Sequence, residues 1–132
     1  MKKLTSGQLC RYIKSIDKDS IVERRNVRYF CAKEKLNYII CQDKWLIDLN
    51  SFVNALNPKG YTESKPFPRL RTKISAQKEW NAHHRKKIKK HIIDLAWESE
   101  NVLVYKHGRK NIINYDELEV EIIRRLKEKN LY

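Results

Sequence analysis

The feature that most limits the folds open to this chain is an internal repeat. Sliding residues 22–57 forward by 66 positions lays one apolar pattern on another without a gap. Val22 falls on Ile88, Val27 on Ile93 and Tyr38 on Val104. Leu46-Ile47 falls on Ile112-Ile113, Phe52 on Leu118 and Leu56 on Ile122. Identities are few, Glu34/Glu100 and Ile47/Ile113 among them. The shared feature is therefore periodicity: a helical stripe, two short alternating runs, then a second helical stripe. Two small units of one design are expected.

The spacing predicts the elements in order. Thr5-Ser6 caps a first helix with Leu9, Cys10, Ile13 and Ile16 on its apolar face. Asp17-Lys-Asp-Ser20 is a turn. The next helix, over 21–35, turns Val22, Val27, Phe30 and Cys31 inward and leaves Arg24, Arg25 and Arg28 mostly outward. Leu36–Ile40 and Trp45–Asp48 read as a hairpin around Cys41-Gln42-Asp43-Lys44. Asp48 or Asn50 then caps a helix with Phe52, Val53 and Leu56, which Asn57-Pro58 ends. Residues 58–71 read as a basic linker with Pro58, Gly60, Pro66 and Pro68 beside Lys65, Arg69 and Arg71.

The second half repeats the order. Ser75–Trp80 is a short helix. Asn81–Trp97 is a long basic one, with Ile88, Ile92 and Leu95 as its buried stripe and Arg85, Lys86, Lys87, Lys89 and Lys90 on its other faces. Val102–Lys106 and Asn111–Tyr115 form a hairpin, with Gly108 supplying a positive φ at its turn. Asn114 or Asp116 caps the last helix, with Leu118, Ile122, Ile123 and Leu126 inward and Glu117, Glu119 and Glu121 outward. Trp45, Trp80 and Trp97 fall on inward faces and read as core.

Charge restricts the partners. The net charge of +13 over 132 residues implies a polyanion, nucleic acid before an anionic membrane. The excess is local. Residues 59–90 hold eleven Lys/Arg against two acids, while residues 91–132 hold seven against eight. No apolar run suits a signal peptide or a membrane span. Cys10, Cys31 and Cys41 form no C-x-x-C pair and read as reduced thiols of a cytoplasmic protein. His83 and His84 are adjacent and diverge on a helix, so neither a metal nor a cofactor is expected. Asp43, Asp48, Asp116, Glu117, Glu119 and Glu121 show no nucleophile–base pattern, so no enzyme is expected.

Arg25-Asn-Val-Arg-Tyr-Phe30, Tyr38-Ile-Ile40, Lys44-Trp-Leu-Ile-Asp48 and Phe52 resemble the excisionase/MerR-like winged-helix group. Ser75–Ile88 and Val102–Leu118 match that group's spacing in the second half. The resemblance covers most of the chain outside 58–71. It implies an α+β, mostly helical chain of two tandem winged helix-turn-helix units, each with a two-stranded antiparallel β-hairpin wing. The units would span residues 1–57 and 72–132. It also implies sequence-specific binding of double-stranded DNA, with a recognition helix in the major groove and the wing on the backbone.

Arg24, Arg25, Asn26 and Arg28 bring the chemistries that read guanine and adenine. His83, His84, Arg85, Lys86, Lys87, Lys89 and Lys90 occupy the matching place in the second unit. Gln42, Lys44, Arg109 and Lys110 are the wing-tip phosphate contacts, and Arg69 and Arg71 belong to the linker arm. The expected role is an architectural factor or small transcription regulator of a mobile element. A recombinase, RNA polymerase or a second copy of the chain is the candidate protein partner, the last through Ile123, Leu126 and Leu131. The competing reading is a basic RNA-binding or ribosome-associated protein. Against it stands the want of an aromatic strand platform or Gly-rich clamp loop.

Overall fold

The computed structural model describes residues 3–33, 36–56, 67–107 and 110–131, and at 107 and 110 the backbone only. The chain is α+β and divides into two compact units, Met1–Pro68 and Arg69–Tyr132. The first unit runs β1 (Lys3–Thr5), α1 (Ser6–Ile16), α2 (Arg24–Lys33), β2 (Tyr38–Cys41), β3 (Lys44–Asp48) and α3 (Leu49–Leu56). The second runs β4 (Leu70–Arg71), α4 (Lys73–His83), α5 (Lys90–Trp97), β5 (Val104–His107), β6 (Lys110–Asn114) and α6 (Tyr115–Glu128). The element order is the same in both.

Each unit carries an antiparallel sheet of three strands, not the two-stranded hairpin expected. The orders are β1-β3-β2 and β4-β6-β5. Leu4 pairs with Ile47, and Arg71 with Ile113. These added strands are only three and two residues long, too short to show an alternation of their own. Their partners lie far along the chain. The β2–β3 turn holds Gln42 and Asp43 at φ of 50° and 65°, the left-handed pair that a two-residue hairpin needs.

Side-chain caps fix where the helices start. Thr5 Oγ1 accepts from the Gln8 N–H at 3.2 Å, and Gln8 Oε1 accepts from the Thr5 N–H at 2.9 Å. Thr72 and Ser75 make the same reciprocal box before α4. Asn114 accepts from the Glu117 N–H at 3.2 Å and caps α6. Each such cap is worth about 1 kcal/mol. From Thr5 to Thr72 the offset is 67, and from Val27 to Ile93 it is 66. The connection between the unit's first two helices is therefore one residue shorter in the second copy.

The first core gathers Leu9, Ile13, Val27, Phe30, Ile47 and Phe52, all 1% exposed or less. Phe67 is also buried here, edge-on to Tyr12 at 5.6 Å and to Phe52 at 5.7 Å. The second core is built on Trp80, Ile93, Ile113, Tyr115, Leu118 and Ile122. The linker expected over 58–71 therefore shortens. Its part over 58–66 lies outside the described residues, Phe67 belongs to the first core, and Leu70-Arg71 is a strand of the second unit.

The long basic helix over 81–97 is not formed. Residues 84–89 leave the helical path between α4 and α5. Side-chain bonds hold them there. Trp80 Nε1 donates to the Lys86 carbonyl at 2.6 Å, and Asn81 Oδ1 accepts from the Ile88 N–H at 2.9 Å. Gln77 Nε2 donates to the Ile88 carbonyl at 3.2 Å. Once α5 restarts at Lys90, its inward residues are Ile93 and Ala96, while Leu95 is 48% exposed.

Candidate nucleic-acid interface

In the first unit, α1, α2 and the β2–β3 turn enclose an open groove of about 360 Å³. Arg11 of α1, Arg24 and Arg28 of α2, and Lys44 of β3 line it, with Trp45 as a wall and Asp43 on its rim. Arg24 and Arg28 are one helical turn apart and share a face. All four cations are exposed, and none makes an ion pair among the described residues. Trp45 is half-buried and stacks on Tyr38 at 4.6 Å between centroids. Its ring is a packing surface for the hairpin.

Other expected contacts of this unit have different surroundings. Asn26 is fully buried, and its Oδ1 accepts from the Glu23 N–H at 2.9 Å. It closes the first turn of α2 instead of offering an adenine-reading amide. Arg25 pairs with Glu23 at 3.2 Å, although both side chains remain exposed. Gln42 and Lys44 are exposed at the hairpin turn.

In the second unit the cations cluster in the turn over 84–89 and at the start of α5. Arg85, Lys86, Lys89 and Lys90 are exposed and make no ion pair among the described residues. Lys87 donates to the Asn81 and His84 carbonyls, so it also caps the end of α4. His83 is exposed with Nδ1 2.9 Å from the Glu79 carbonyl. His84 is a packing residue: its ring stacks on Trp80 at 3.6 Å, and Nε2 lies 2.9 Å from Glu119 Oε2. Arg109 and the Lys110 side chain lie outside the described residues.

Arg69 and Arg71, expected in a basic arm, are enclosed by acids of their own unit. Arg69 reaches Asp116 at 2.6 Å and Glu119 at 3.0 Å, and its guanidinium lies 4.7 Å over the Tyr115 ring. Burial disfavours its charge, but Asp116 and Glu119 outweigh burial and raise its pKa. The Arg71 side chain is 3% exposed and meets Glu79 at 3.3 Å. Neither guanidinium is presented to a phosphate.

Glu117 and Glu121 of α6 are likewise internal, and Glu119 is half-buried, contrary to the outward set expected. Glu117 and Glu121 are 3% and 2% exposed. Glu117 Oε1 accepts from the Leu103 N–H at 2.7 Å, which ties α6 to the residue just before β5. Glu121 binds Arg124 and Arg125. Burial raises Glu119, but the His84 and Arg69 bonds outweigh it and leave the carboxyl below its usual range. Among the described residues no group of three His, Cys, Asp or Glu could hold a metal. Among the described residues no helix is long and apolar enough to cross a membrane.

The two units differ at one decisive place. Asp94 stands 66 positions after Arg28. It pairs with Lys73 at 2.9 Å, and that ammonium lies 4.4 Å over the Trp97 ring. Where the first unit leaves cations free around a groove, the second unit ties one up internally. Sequence spacing missed Arg11 and the first turn of α1 as part of the groove. The Thr5–Gln8 box marked that helix start, but nothing local showed that Arg24 faces it.

No family model, curated protein or solved structure matches the chain.

Proposed function

We propose that this chain binds double-stranded DNA sequence-specifically through two tandem winged helix-turn-helix units and carries out no catalysis. The observation that carries the reading is the groove of the first unit, where Arg24 and Arg28 project from α2 beside Lys44 of the hairpin. On this ten-residue helix the exposed Arg28 suits a base edge in a major groove, while Arg24, one turn earlier, and the hairpin lysine suit the flanking phosphates. The repeated element order supports the same assignment for the second unit, with α5 and its preceding turn as the cationic part. There the free cations are mostly lysines, which hold phosphate as point charges. The second unit therefore supplies affinity, and the first supplies most of the sequence reading.

This division suits an excisionase-like architectural factor or a small transcription regulator of a mobile element, acting in the cytoplasm without a cofactor. A recombinase, RNA polymerase or a second copy of the chain is the protein partner of that role. The test is selection from a random duplex library, with binding to the winners followed across salt. A defined motif that keeps its preference at high salt supports the reading. A steep salt slope with no motif, or tighter binding to structured RNA in competition, overturns it.

A further inference from the structure

The first turn of α1 faces guanidinium groups where acids would ordinarily be favoured. Helix N-termini carry partial positive charge and attract anions. The first turn of α1 contains no acid. Instead Arg24 lies against it: a Cβ added at Gly7 would stand 2.9 Å from Arg24 Nη2. Arg11, Arg28 and Lys44 line the same groove. Several like charges thus converge on the positive end of a helix.

A second observation points to a missing anion. Ser6, the first residue of α1, also lines the groove and is 4% exposed. Its hydroxyl has no hydrogen-bond partner among the described residues. A buried hydroxyl without a partner is costly unless a ligand completes it.

We infer that this groove is a phosphate site, in which the Ser6 and Gly7 N–H groups, the Ser6 hydroxyl and Arg24 hold one phosphate of a polynucleotide backbone while Arg11 and Lys44 flank it and Arg28 is left for a base edge. The groove is roomier than a lone phosphate needs, so the sugar–phosphate on either side fits. Gly7 is required because it leaves space for the guanidinium. Among the described residues the second unit does not repeat this arrangement: Ile74 stands 67 positions after Gly7, and Asp94 claims Lys73. The inference rests on the nucleic-acid reading for the source of the phosphate but not for the site.

Two variants separate binding from folding. Gly7→Ala improves helix propensity but pushes Arg24 aside, which is cheap because only the end of a flexible side chain moves. Ser6→Ala removes a buried hydroxyl without a partner. Both keep or raise Tm. Each weakens binding to a duplex oligonucleotide about tenfold, and Gly7→Ala lowers the salt slope by about one.

Inorganic phosphate, titrated against chloride at equal ionic strength, shifts the Ser6 and Gly7 amide resonances and leaves those of Lys73 and Ile74 unmoved. The duplex displaces it. If phosphate moves neither amide, or both variants bind duplex like the wild type, the site is refuted while the DNA reading stands. If phosphate binds but duplex fails to displace it, the site serves free phosphate and the backbone assignment falls. If the wild type binds no duplex at all, the DNA reading fails and the anion site remains.

Discussion

Replacing His84 with alanine separates packing from recognition inside the basic turn. The imidazole stacks on Trp80 with an interplanar angle of 9° and reaches Glu119 at 2.9 Å. A buried aromatic pair contributes about 0.5–1.5 kcal/mol beyond area. A hydrogen bond to a charged group contributes roughly 1.5–3 kcal/mol. Glu119 keeps Arg69 as a partner, so its carboxylate is not orphaned and the loss falls toward the low end of the sum. The expected cost is about 2 kcal/mol. For a unit of this size that lowers Tm by roughly 8–16 °C.

Lys86→Ala is the matched control. Trp80 uses the Lys86 carbonyl, not its side chain, so the fold is untouched. Under the proposed function its affinity for duplex DNA should fall on every sequence, and the salt slope should drop by about one. Thermal unfolding followed by circular dichroism, with binding measured well below Tm, gives both readouts. If His84→Ala keeps Tm within about 2 °C and loses affinity as Lys86→Ala does, the histidine is a recognition residue and the packing argument is wrong.

Glu79→Ala should destabilise the second unit by roughly 3 kcal/mol, because the Arg71 guanidinium stays buried after its carboxylate is removed; denaturant midpoints at constant m-value measure this. Acid should destabilise the same unit. The carboxyls of Glu119 and Glu121 are held below their usual range, so their stabilisation is complete above the unfolded value of about 4.3 and drains as pH falls through the lower folded values. A stability–pH profile flat across this acid window would contradict it. Cys41 is exposed and should react with a thiol reagent in the native state. Cys31 is buried, and burial pushes its thiol up to about 11, so it should react only on unfolding. Native labelling at Cys31 as fast as at Cys41 would overturn this.

Local pattern determined much of this protein. Val27 and Phe30 in α2, and Phe52 and Leu118 in the closing helices, were all legible as inward residues from spacing alone. So was the cap at Thr5, and Asn114 was one of two candidates for the last helix, because a cap is a contact between residues three apart. The 66-residue repeat foretold two units with one element order.

Spacing failed where a distant partner overruled it. Ile88, Ile92 and Leu95 fit a continuous helix, and only the bonds from Trp80, Asn81 and Gln77 stop the chain at 84–89. Arg69 and Arg71 had the composition of a linker, yet their acids lie on α4 and α6. Glu117 and Glu121 looked solvated until Leu103, Arg124 and Arg125 met them. The sequence alone determined where apolar stripes and caps fall, because these depend on near neighbours. Only the tertiary structure decided which charges are consumed inside the fold and which are left for a ligand, because a long charged side chain is satisfied by whatever the fold brings within reach.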